Sequence, residues 1–276
     1  MLGKLIKHEF KHTGRYIIWM LLALVVVTPV SALYTKFYSE NDYASLYIAD
    51  SFDILSIIQA IVTMVYVCTI IAVVVASAIL LMYRFYKSMV TGEGYLTHTL
   101  PVSTTSIVFS KLFVAFVWIL VCGILVICSI ITFTTINVGL PDIDIPFILE
   151  SLRNDGFTIF TAFVLILTIF LSIIQQITQL SASLAIGHRM NNHPILGSIL
   201  TYIVFDFIMQ IVSTIFMFFY IDYMFMPSVY SINEPEQVMI SQIVNTPFTV
   251  LCIIQFVFCA IYSFITVYMF KKKLNI

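Results

Sequence analysis

Charge is what this 276-residue chain has least of. Asp, Glu, Lys and Arg make up 10% of it, against 61% hydrophobic residues and a mean hydropathy of +1.06. Such a composition excludes an ordinary soluble domain. A nucleotide-binding signature is also missing. No GxxxxGK[ST] sequence occurs, and Gly92-Glu93-Gly94 is too short to cradle a phosphate chain, so the chain is no ordinary ATPase. The five cysteines, Cys68, Cys122, Cys128, Cys252 and Cys259, all lie in apolar runs without a CxxC pair or a zinc-spaced Cys/His cluster. They read as packing residues and exclude a disulfide scaffold. Strand-like alternation is missing too, and nothing assembles the Ser, His and Asp residues into a triad.

What the chain does have is long apolar runs. A helix rising about 1.5 Å per residue needs roughly 20 such residues to cross a hydrocarbon core about 30 Å thick. Six runs qualify, at residues 16–33, 55–82, 112–136, 157–186, 195–226 and 248–270. Lipid offers no partner to an unpaired backbone group, so the runs are expected to be helices. The expected fold is an all-α integral membrane protein: six transmembrane helices in a single domain over residues 1–276, with an amphipathic interface helix at the N-terminus.

Basic residues keep preferentially to the cytoplasmic side. Lys4, Lys7, Lys11, Arg15, Arg84, Lys87, Lys111, Arg189, Lys271, Lys272 and Lys273 fall on one side of the six runs, and only Lys36 and Arg153 on the other. Both termini are therefore expected in the cytoplasm. Most acidic residues fall on the opposite side, Glu9 and Glu93 excepted, and Asp206 alone lies deep inside a span.

The first residues admit three readings. A basic start, an apolar run to Pro29 and Val30-Ser31-Ala32 imitate a cleaved signal peptide. Uncleaved, residues 1–15 make an amphipathic helix, with Leu2, Leu5, Ile6, Phe10, Thr13 and Ile17 near one face and Lys4, Lys7, His8, Lys11, His12 and Arg15 around the other. That helix is expected on the inner membrane surface, anchored to anionic headgroups or supporting a cytoplasmic subunit. Third, His8-Glu9-Phe10-Lys11-His12 matches HExxH, whose spacing puts two imidazoles on one helical face beside a carboxylate base. No substrate cleft precedes it, and its third ligand has to come from far away, with Asp206 as the obvious carboxylate.

Inside the spans the polar residues carry the information, because an unpaired polar group in lipid is costly. Ser172, Gln175, Gln176, Gln179 and Ser183 follow helical spacing along the fourth run. Tyr202, Asp206 and Gln210 follow it along the fifth. These stripes read either as interhelical hydrogen bonds or as a substrate path, with Asp206 as the candidate protonatable group. The outer connection at residues 227–247 is a plain loop or a short surface helix built on Val238, Met239, Ile240, Ile243 and Val244.

Between the second and third runs, residues 83–111 read YRFYKSMVTGEGYLTHTLPVSTTSIVFSK. Arg84, Lys87 and several aromatics open the segment, Gly92 and Gly94 flank Glu93, and Pro101 with Ser103 offers a break and a helix cap. Its aromatic content marks an ordered loop rather than a linker.

Three strings carry a family resemblance: Leu5-Ile6-Lys7-His8-Glu9-Phe10-Lys11; Glu93-Gly94-Tyr95-Leu96-Thr97 followed by Thr99-Leu100-Pro101-Val102-Ser103; and Ser110-Lys111-Leu112. With the six-run layout, they make the chain resemble the permease subunits of ATP-binding-cassette type-2 transporters, particularly a group common in Gram-positive bacteria. His98 departs from that pattern, where related loops carry an apolar or aromatic residue.

The resemblance implies a subunit without catalytic residues, metal or cofactor of its own, set in the bacterial cytoplasmic membrane. ATP and Mg would be bound by separate ABC ATPase subunits. Its partners would be those ATPases, a second permease in a homodimer or heterodimer, and membrane lipid; no nucleic acid is implied. The loop between spans two and three would hold the coupling helix, which puts Arg84, Lys87, Glu93, Tyr95 and Leu96 at the ATPase contact. A second contact would lie at residues 187–194. Gln175, Gln179, Asp206 and Gln210 would line a substrate path or make interhelical contacts. The expected cargo of such an exporter is amphipathic, a peptide, drug or lipid, as in resistance to antimicrobial peptides. The competing classes are an intramembrane zinc peptidase using His8, Glu9 and His12, and a noncatalytic membrane sensor or scaffold.

Overall fold

The computed structural model describes residues 2–42, 54–90, 103–139, 159–189, 194–225 and 236–272. Six helices account for them: α1 (Leu2–Asp42), α2 (Ile54–Val90), α3 (Thr104–Val138), α4 (Ile159–Gly187), α5 (Pro194–Phe225) and α6 (Glu236–Lys272). All six are long and apolar enough to cross a membrane, and there is no strand among the described residues. The expected all-α, six-span class is the one observed.

The helices outrun the apolar stretches. Helix α1 has 41 residues, about 60 Å of length at the usual rise, and the amphipathic stretch expected over residues 1–15 continues into the first span without a break. Its first turn carries no acidic residue, although the helix dipole favours one there by about 0.3–1 kcal/mol. Lys4 and Lys7 stand near that end instead. Residues 236–247 likewise belong to α6, which runs on through Pro247, rather than to a separate surface element.

Two compact units divide the chain. The first comprises Met1–Arg84 and Phe113–Ile143, and the second Phe85–Leu112 and Asp144–Ile276. Two of the three boundaries cut helices, 84/85 within α2 and 112/113 within α3.

In the first unit, Ile17, Leu21 and Leu24 of α1 pack with Val73 of α2 and with Val114, Trp118 and Cys122 of α3. The Phe10 ring stacks on Trp118 with centroids 4.8 Å apart. Gly14 permits this approach: a Cβ there would come within 2.7 Å of the Trp118 ring. Further along, Ser129 of α3 shares hydrogen bonds with Thr28 of α1 (2.7 Å) and Tyr66 of α2 (3.0 Å), so one serine joins three helices. Tyr66 also stacks on Phe133 at 4.5 Å.

In the second unit, α4 packs against both α5 and α6. Lipid tails are as apolar as leucine, so helix association inside a membrane depends on close approach and interhelical hydrogen bonds rather than on hydrophobicity. Toward its C-terminal end the buried residues of α4 are accordingly mostly small: Ser181, Ala182, Ser183, Ala185 and Gly187, with Leu184 among them. A Cβ on Gly187 would collide with the backbone of Ser198, making this the tightest approach of α4 and α5 described. Pro194 opens α5 at the position where its missing N–H has no helical acceptor to lose.

Of the five cysteines, Cys122, Cys252 and Cys259 are buried as expected of packing residues, whereas Cys68 and Cys128 are exposed; all five are free thiols.

Candidate functional site

The charged ends of the helices are organised by two basic residues, one in each unit. In the first unit, Arg84 near the end of α2 reaches two side chains of α1. Its Nη2 lies 3.5 Å from Glu9 Oε2, with both side chains mostly covered, and its Nη1 donates to His12 Nδ1. A guanidinium presents its N–H groups as a rigid fork, so one arginine can serve a carboxylate and an imidazole on successive turns. Glu9 and His12 lie three residues apart and face the same way for that reason.

This arrangement bears on the HExxH match. Glu9 and His12 turn toward a fixed positive charge, and His8 lies beside His12 with ring centroids 6.3 Å apart. Among the described residues, no three of His, Cys, Asp and Glu group closely enough to hold a metal ion.

In the second unit, Lys111 of α3 is buried and donates from Nζ to Ser88 Oγ of α2 at 2.6 Å. Met89, Ile107 and Ser110 around it are fully buried, and Phe85 meets Phe270 of α6 edge-on at 6.2 Å. Ser103 caps α3: its carbonyl accepts from Ser106 N (3.0 Å) and Ile107 N (3.2 Å), and its hydroxyl from Ser106 N at 3.4 Å. The cap expected at Ser103 is thus present. The polar segment shrinks, since residues 83–90 extend α2 and residues 104–111 begin α3, leaving a connection at 91–103. Lys87 is exposed on the last turn of α2. Glu93, Tyr95, Leu96 and His98 lie outside the described residues.

The polar stripe on α4 faces its neighbours. Gln175 and Gln179 are buried, as is Ser183. Gln179 Nε2 donates to the Tyr202 carbonyl at 3.5 Å while its Oε1 has no partner, and the Tyr202 hydroxyl donates to Gln176 Oε1 at 3.0 Å. Thr201 donates to the Ser183 carbonyl at 3.1 Å, and Ser181 shares a hydrogen bond with Thr266 of α6 at 3.1 Å. These contacts hydrogen-bond α4 to α5 and α6. The partners Thr201 and Thr266 escaped the sequence reading because a lone threonine in an apolar run normally bonds its own helix, as both also do here.

Asp206 and Gln210 behave differently. Both side chains are exposed on α5, although their spacing matches that of Tyr202. Asp206 makes no ion pair or hydrogen bond with a described residue, and only the electrostatic reach of Tyr202 and Tyr262 touches it. A charged side chain at the centre of a spanning helix costs about 2.5–3.5 kcal/mol.

The first unit also carries an open groove of about 550 Å³ between α1 and α2, lined by Met20, Ala23, Met64, Cys68, Ala72 and Ala76 among others. Thr69 is the one residue in its lining with a hydroxyl, and that hydroxyl donates to the Val65 carbonyl of its own helix. The lining therefore offers a polar ligand little beyond the acceptor oxygen of Thr69 and the weakly polar Cys68 thiol.

Comparison with protein-family models, with curated proteins and with solved structures returns no match to this chain.

Proposed function

We propose that this multi-pass membrane protein is the permease subunit of an ABC-type exporter, driven by separate ATPase subunits from the side that bears its basic residues. The observation that carries the reading is the framing of residues 91–102. On one flank, Arg84 ties the end of α2 to α1; on both flanks, Lys111 and Ser88 tie the start of α3 to the end of α2. A short connection anchored at both ends can pass force into the helices it joins, and a loose one cannot. The strings that resemble type-2 permeases fall in this connection and beside its anchors.

ATP binding would close the paired ATPases, and the connection would carry that motion into α2 and α3. Hydrolysis would reset the cycle. Glu93, Tyr95 and Leu96 supply the contact with the ATPase, and Arg84 and Lys87 support it. The zinc peptidase reading is disfavoured by the commitment of Glu9 and His12 to Arg84.

The test is Glu93→Lys in a complex reconstituted with its ATPase. Membrane insertion is expected to persist while cargo-stimulated ATP hydrolysis disappears; undiminished stimulation would remove Glu93 from the coupling surface.

A further inference from the structure

We propose that the exposed face of α5 around Asp206 is a binding site for a lipophilic organic cation. Three observations point there.

First, the position is extreme. Asp206 lies about 18 Å along α5 from Pro194, near the middle of the helix, and α5 is the least buried of the six spans. Of the acidic residues, it alone stands deep inside a span. Its side chain is exposed there, outside the hydrogen-bonded seam that holds α4 to α5.

Second, among the described residues the carboxylate has no cation of its own. Neither Lys nor Arg pairs with it among the described residues, and the groups within its electrostatic reach, Tyr202 and Tyr262, are neutral phenols. The Tyr202 hydroxyl already donates to Gln176 and that of Tyr262 to the Phe205 carbonyl at 3.4 Å, so neither hydroxyl proton is available to the carboxylate. A negative charge at this depth needs a positive occupant or a proton.

Third, the surroundings suit an organic cation better than a hydrated metal ion. One helical turn to either side of Asp206 stand Tyr202 and Gln210, and Ile199, Ile203 and Met217 present exposed apolar surface along the same side of α5. A monocation with an apolar body would place its charge at Asp206, its body on the adjacent Ile203 and its edge near the Tyr202 ring. A small metal ion would find no group of three His, Cys, Asp or Glu side chains to hold it among the described residues. Charge complementarity and the apolar flanks therefore select the occupant.

The assignment deepens the permease reading by naming a class of cargo; it rests on that reading for transport but not for binding. The experiment measures binding of tetraphenylphosphonium to the purified full chain in phosphatidylcholine nanodiscs, with no ATPase present. Saturable binding is expected, weakened roughly tenfold or more in Asp206→Asn and largely kept in Asp206→Glu. Triphenylphosphine oxide, similar in body but neutral, is expected to bind no better to the wild type than to Asp206→Asn. Equal binding of the cation by wild type and Asp206→Asn overturns the proposal. So does an Asp206→Asn variant that changes oligomeric mass yet binds the cation normally, since the face would then belong to a partner helix. Failure of this binding leaves the permease reading standing, and failure to recruit an ATPase leaves the site standing.

Discussion

Arg84 Nη2 lies 3.5 Å from Glu9 Oε2, and the same guanidinium donates to His12, so one arginine fastens the end of α2 to the first turns of α1. Glu9→Gln and Arg84→Ala are each expected to lower stability by about 1 kcal/mol, because each removes one charge of a mostly covered ion pair. Thermal unfolding in detergent measures the losses. The double variant is expected to lose less than the sum, and strict additivity would show the pair to be energetically idle.

The same contact makes a prediction about zinc. A metal ion at Glu9 and His12 would have to displace a fixed guanidinium, so a strong chelator is expected to leave the melting temperature unchanged. A drop of several degrees, reversed by stoichiometric zinc, would revive the peptidase reading.

Gly187 tests the packing of the second unit. A Cβ at this position meets the backbone of Ser198, which cannot swing aside as a side chain can. Gly187→Ala is expected to cost about 1–3 kcal/mol or to prevent assembly of α4 with α5. Gly123→Ala, where nothing lies within 4 Å, is the matched control and is expected to be neutral or slightly stabilising. Equal melting temperatures for the two variants would contradict the close approach.

Gln179 separates packing from passage. Its Oε1 is buried without a partner and its Nε2 makes only a long bond, so Gln179→Leu removes an unsatisfied acceptor and is expected to leave stability unchanged or raised. A transport assay on this stable variant then reads the second role: retained transport assigns the α4 seam to structure, and lost transport assigns it to the cargo path.

The spans were legible because hydropathy reports the solvent a segment prefers, and each apolar run reaches the length range that a membrane-spanning helix needs. Their ends were not. The backbone of α1 stays hydrogen-bonded well past the point where Lys11 and Arg15 make it polar, and the same holds for α2 beyond Arg84. The face of α4 was legible from the spacing of Gln175, Gln179 and Ser183, since a period near four places them together. The outward direction of Asp206 was not, because periodicity tells which residues share a face and not which neighbour covers it. The Arg84 contact was equally hidden, since its partners come from another helix distant in sequence.

The central claim is that a separate ATPase drives this chain through residues 91–102, and co-purification with its native neighbours in mild detergent tests it most directly. The account predicts a stoichiometric partner carrying GxxxxGK[ST]. Purification of the intact chain free of any such ATPase under several mild conditions would contradict it.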